Sequence, residues 1–111
     1  MNKTTYIGEF EHMVLLAILR LKDDAYGMSI RDELDATVNR AVSRSALYIT
    51  LERLIKKGYL EARLGDPSPE RGGRAKRYVG LTDPGREALR VSGRALRDLW
   101  KGHEALLEEG G

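Results

Sequence analysis

The chain has 111 residues, 41% hydrophobic and 32% charged, which suits one globular domain with a small core and excludes a disordered segment. It has no cysteine, excluding disulfides and thiolate metal sites and agreeing with a cytoplasmic setting; no apolar run nears the ~20 residues of a membrane span, and the start lacks a signal peptide's apolar centre. Net charge is only +2, yet residues 39–77 hold ten Lys/Arg against four Asp/Glu between mildly acidic ends, the distribution of a localised polyanion site.

Over residues 9–22, Phe10, Met13, Val14, Ala17, Ile18 and Leu21 form one helical stripe, with Leu15, Leu16 and Leu19 on the opposite side. A helix apolar nearly all round is buried on two sides, so a second element or subunit is expected against the outer one. Asp23 and Asp24 are placed to cap a second helix. Its stripe is Tyr26, Ile30, Leu34 and Val38, with Gly27 permitting close packing and residues 37–41 as a turn. Ser43 reads as the N-cap of a third helix, Leu47, Leu51, Leu54 and Ile55 as its buried face, and Gly58 as its stop. Ser45, Ile49, Glu52 and Lys56 point away from that face, Tyr48 and Arg53 flank it, and Glu52 is within i, i+4 reach of Lys56.

Leu60, Ala62 and Leu64 then alternate with Glu61 and Arg63 as in a half-buried strand. Pro67, Pro69, Gly72 and Gly73 form a tip, and Lys76, Tyr78 and Gly80 alternate with Arg77, Val79 and Leu81 on the return. Thr82 caps a last helix over residues 83–107, with Pro84 tolerated near its start. Leu89, Ser92, Leu96, Leu99, His103 and Leu106 make a heptad-like seam, widened by Ala88, Ala95 and Trp100. Gly93 and Gly102 would let another helix approach. So small a domain offers the seam no partner, and dimerisation is the simplest way to bury it.

Three helices, a strand, a basic tip, a return strand and a helix, in that order, make a mainly α fold with a small β-hairpin. It is the winged helix-turn-helix with an added C-terminal dimerisation helix. Residues 1–81 form the DNA-binding part and 82–111 the dimerisation helix of one compact unit. The chain resembles the PadR family of transcriptional regulators, in its short type with a single C-terminal helix. The resemblance rests on LLAILRL with DDAYGMSIRDEL, on SALYITLERLIKKGYLEARL, on RGGRAKRYVGLTDPGREAL and on RALRDLW. It implies a homodimer that binds an inverted-repeat operator on double-stranded DNA and usually represses transcription, with the third helix in the major groove and the wing on flanking backbone or in the minor groove.

Ser43, Arg44 and Ser45 stand where a helix N-terminus meets phosphates or base edges, although ordinary capping and solvation also account for them. Tyr48 matches the family's recognition-helix tyrosine. Arg53 is a candidate phosphate contact or the partner of an acid. Arg71, Gly73, Arg74 and Lys76 are the wing candidates, and strand alternation means that Lys76 and Arg77 cannot both face DNA. Dimerisation falls to Leu15 and Leu19 on the first helix and to Leu89, Leu96, Leu99, Trp100, His103 and Leu106 on the last. Trp100 reads either as an interface anchor or, as the resemblance implies, as a platform for a small hydrophobic or aromatic effector.

No enzymatic constellation is visible: His12 and His103 fall on different helices, and neither a Walker-type loop nor an H-E-x-x-H motif occurs. No cofactor, metal or membrane partner is expected. The competing class is a winged-helix protein-interaction module, which would have no use for a cationic third-helix-and-wing surface.

Overall fold

The computed structural model describes residues 6–65 and 76–110. Helix α1 (Glu9–Leu21) begins at Gly8, whose N–H donates to the Glu11 carboxylate at 3.4 Å. It packs against α2, the hairpin and α4, so its buried face is broader than one stripe. Leu15, expected on the outer side, is enclosed with Val14, Ala17 and Ile18. Of its large apolar residues, only Leu16 and Leu19 are exposed.

Helix α2 (Gly27–Val38) starts later than the aspartates predict. Lys22–Asp24 form a 3-10 turn, and the N-cap is Tyr26. Ser29 supplies the missing cap chemistry: its hydroxyl accepts from the Tyr26 N–H at 2.9 Å and donates to the Asp24 carbonyl at 2.7 Å. The delay has a tertiary cause. Ala25 is fully buried and extended, and its carbonyl accepts from the Val79 N–H at 2.9 Å, adding a bridge to the hairpin. Ile30 and Leu34 are buried as expected, whereas Val38 is exposed in the last turn. Asn39 ends the helix in the left-handed region at φ 54°, which Asn tolerates better than most residues.

Helix α3 (Arg44–Lys56) opens where the Ser43 hydroxyl accepts from the Ala46 N–H at 3.1 Å, and it buries Leu47, Thr50, Leu51 and Leu54. Gly58, at φ 84°, closes it: its N–H reaches the Ile55 carbonyl and the Tyr59 N–H reaches that of Leu54, both at 2.9 Å. That pair of bonds is a Schellman motif, and the left-handed turn in it favours glycine. Strands β1 (Leu60–Leu64) and β2 (Arg77–Leu81) pair antiparallel, with Leu60 opposite Leu81, Ala62 opposite Val79 and Leu64 opposite Arg77. The expected half-buried β1 is buried only at Leu60, because the helices cover just the base of the hairpin and Leu64 projects past them. The tip candidates Arg71, Gly73 and Arg74 lie outside the described residues.

Helix α4 (Asp83–Trp100) is capped by Thr82, whose hydroxyl accepts from the Gly85 N–H at 3.1 Å and donates to the Gly58 carbonyl at 2.5 Å. Gly85 lies against the β1 entry so closely that a Cβ would stand 2.0 Å from the Tyr59 carbonyl oxygen. Gly27, read from sequence as the close-packing glycine, would place its Cβ in open space. The helix ends at Trp100 rather than near residue 107. Gly102 takes φ 90°, which favours glycine, and Glu104–Glu108 form a separate 3-10 turn. His103 and Leu106 therefore leave the helical seam. Leu89 also drops out of it, because it is buried in the subunit core with Leu15, Ile18, Leu54 and Leu60.

The two glycines should behave oppositely. Gly85→Ala is expected to lower unfolding free energy by at least about 2 kcal/mol and Tm by on the order of 10 °C. Gly27→Ala is expected to raise stability by a few tenths of a kcal/mol, up to about 1. Thermal and urea unfolding read both, and equal melting of Gly85→Ala and wild type would refute the close approach.

Candidate nucleic-acid interface

The outward side of α3 holds the best-formed candidate surface. Ser43, Arg44, Ser45, Tyr48, Ile49, Arg53 and Lys56 are all exposed along one helix, and Ser43 acts as the N-cap while staying exposed. The structure thus gathers every third-helix candidate on one continuous face. Its anchor is the other side, where Leu47, Leu51 and Leu54 sit in the core. Arg31 of α2 fixes the approach to the helix by donating to the Val42 carbonyl at 2.8 Å, which satisfies a turn group left over by the helix ends.

The basic segment looks different once folded. Eight of its ten cations are described, and most are already engaged. Arg40 sits 4.9 Å over the Phe10 ring and pairs with Glu9 at 3.1 Å. Lys57 pairs at 3.0 Å with Glu11, which is buried. Arg77 pairs with Glu52, a partner that the sequence offered to Lys56 instead. Among the described residues, Arg44, Arg53 and Lys56 have no ion pair, and all three belong to α3. Exposed charges of this kind contribute little to folding and are the ones left for a polyanion.

The hairpin base is held by an aromatic stack that sequence reasoning missed. Tyr26 and Tyr78 meet edge-on, with centroids 5.6 Å apart and planes at 73°. Arg63 lies 4.6 Å over the Tyr78 ring, and Lys76 lies 4.0 Å over the Tyr26 ring. Arg63 also donates to the Asp23 carbonyl at 3.2 Å. Such cation–π contacts contribute about 0.5–1 kcal/mol each at exposed sites, and together they fasten the wing to the start of α2. The alternation expected on β2 is seen in these partners: Lys76 goes to α2 and Arg77 to α3. Nothing in the spacing of Tyr26, Arg63 and Tyr78 signals the stack, because the hairpin register alone brings Arg63 opposite Tyr78.

A second, apolar surface lies between α1 and α4. A groove of about 760 Å³ is walled by Ile7, Met13, Leu16, Ala95, Leu96 and Leu99, with His12 and Ser92 among its polar members. The Ser92 hydroxyl accepts from the Ile7 N–H at 3.2 Å, tying the N-terminal segment to α4. Burial holds the His12 imidazole below its ordinary range. Leu99 is 77% exposed, Leu96 51% and Leu19 42%. Trp100 is half-buried at the end of α4 and is not among the groove's walls. No group of His, Asp and Glu among the described residues could hold a metal ion. Among the same residues, no helix is long and apolar enough to cross a membrane.

A helix-turn-helix formed by α2 and α3, beside a two-stranded wing, defines a winged-helix DNA-binding protein. Residues 15–91 match the transcriptional regulator PadR-like family, and the chain belongs to it; the family consists of transcription regulators, not enzymes. Among solved structures, the chain is similar to a PadR-like transcriptional regulator from Bacillus cereus, at 24% identity and TM-score 0.71, over 92% of this chain and 93% of that one. It is also similar to a PadR family regulator from Eggerthella lenta, at 26% identity and TM-score 0.66, over 92% and 88%. A Streptococcus transcriptional regulator is similar at 26% identity and TM-score 0.67, over 87% and 90%. Comparison with curated proteins gives no match.

The pairing pattern separates two arginines of the basic segment. Arg53→Ala should weaken DNA binding evenly across sequences and reduce the log–log salt slope by about one per bound copy. Arg40→Ala should leave that slope unchanged, since its guanidinium is already held by Phe10 and Glu9. Salt titrations of both variants distinguish them, and an equal loss of slope would contradict the division of charges.

Proposed function

We propose that the chain is a cytoplasmic repressor that binds an inverted-repeat operator as a homodimer. One observation carries the reading: a single small protomer exposes both a cationic α3 face and an uncovered apolar strip of Leu16, Leu19, Leu96 and Leu99. Pairing two copies through that strip would bury it. Two-fold symmetry would then present two reading helices to half-sites about one helical turn apart. Residues 1–81 read DNA in this scheme, and 82–111 hold the partner through the outer half of α4. Leu16 takes the place in the interface that the sequence offered to Leu15, while Leu19, Leu96, Leu99 and Trp100 keep theirs.

On DNA, Ser43, Arg44 and Ser45 would meet phosphates or base edges from the helix N-terminus, with Tyr48 and Arg53 on the flanks. Arg71 and Arg74 of the wing would add backbone contacts, Lys76 would join them only by leaving the Tyr26 ring, and Gly73 would let the chain come close. Trp100 serves as an interface anchor. A role as platform for a flat hydrophobic effector would show as quenching of its fluorescence by planar aromatic compounds.

The deciding experiment is a mobility-shift titration on the region upstream of the protein's own gene. With six to eight phosphates neutralised per dimer, the log–log salt slope is expected at about −5 to −7. Leu99→Glu should give monomers in sedimentation and weaken operator binding by at least about tenfold. An intact dimer that binds no inverted repeat at low salt would favour a protein-interaction module. A Leu99→Glu dimer of full affinity would place the interface elsewhere.

A further inference from the structure

Ile49 stands in the second turn of α3 and is 56% exposed. The other large aliphatic side chains of the helix, Leu47, Leu51, Leu54 and Ile55, pack in or against the core. Ile49 instead shares the outward ridge with Ser45 one turn before it and with Glu52 and Lys56 after it. A β-branched residue has no advantage in an exposed helical position, since its χ1 freedom is restricted there. Its setting is also unusual for an apolar side chain, because Arg53 one turn after it and Lys56 two turns after it share its side of the helix, and neither has an ion pair among the described residues.

We infer that Ile49 is a specificity-determining residue that contacts the C5-methyl group of a thymine in each half-site. The inference rests on the DNA-reading assignment of α3 made above and goes one step further, to the base. A reading helix contacts base edges mainly from its N-terminal half, where Ser45 and Ile49 are the outward residues. The Ile49 side chain has neither donor nor acceptor, so it cannot discriminate among the polar edges of the major groove. The thymine methyl is the one apolar group displayed there. Glu52, the neighbouring residue that would repel phosphates, has its carboxylate neutralised by Arg77. The ridge can therefore approach DNA without bringing an uncompensated negative charge.

The test replaces each thymine of a bound operator half-site singly with deoxyuridine, which removes the methyl group and keeps the base pair. Wild-type protein should lose affinity by about fourfold per half-site at one thymine position and little elsewhere. Ile49→Ala should bind the thymine operator with a similar loss and be indifferent to deoxyuridine at that position, so that the two changes are non-additive. Ile49→Val should keep the sensitivity. Because the side chain is outside the core, Ile49→Ala should melt with wild type, which separates lost contact from lost fold. Two results overturn the inference while leaving DNA reading intact: wild-type affinity unchanged by every replacement, or Ile49→Ala as sensitive as wild type. A wild-type protein that binds no duplex at all would bring down the DNA-reading assignment itself, and this inference with it.

Discussion

Everything in this molecule hangs on one crossing point, where the chain leaving α3 passes the chain entering α4. The Thr82 N–H donates to the Tyr59 carbonyl at 3.1 Å, the Thr82 hydroxyl donates to the Gly58 carbonyl, and Gly85 packs against Tyr59 with no room for a Cβ. Three elements share these few atoms: the end of α3, the closed base of the hairpin at Leu60 and Leu81, and the cap of α4. A single small residue thus sets the distance between the unit proposed to read DNA and the helix proposed to pair with a second copy. Since packed interiors resist gradual deformation, a change in the angle of α4 would be passed to α3 through this contact rather than absorbed.

Charge is divided in the same economical way. The basic middle of the chain divides into cations that hold the fold and cations that stay available. Arg40, Lys57 and Arg77 each cross between elements to an acid, and Arg63 and Lys76 lie on tyrosine rings. Those remaining on α3 have no such partner among the described residues. The wing is oriented by its stack on Tyr26 and Tyr78 and by the pair between Arg77 and Glu52, so it is braced from both α2 and α3. That bracing places the hairpin beside the face proposed to read DNA, an arrangement that would lower the ordering cost of binding.

Much of this was legible in the sequence. The caps at Ser43 and Thr82, the stop at Gly58, the hairpin and the exposed side of α3 all followed from local patterns. The N-terminal boundary of α2, the side of α1 that Leu15 faces and the length of α4 did not. Asp23 and Asp24 are good capping residues, but Ala25 is needed in an extended bridge to Val79, and the helix has to wait for it. Leu15 sits on the expected outer side of α1, yet contacts from more than one element widen the buried face to include it. Gly102 is compatible with a close helix contact or with a left-handed turn, and sequence spacing cannot choose between them.

The sequence by itself determined the order and kind of the elements and which side of α3 is polar, because capping bonds and helical periodicity are satisfied within a few residues. It also carried enough motif to indicate the family. Only the tertiary structure decided which cations are spent on holding the fold and which leucines are left for a partner. Those outcomes depend on which distant residues meet through space. Pairings such as Glu11 with Lys57, Glu52 with Arg77 and Gly85 with Tyr59 leave no trace in local spacing.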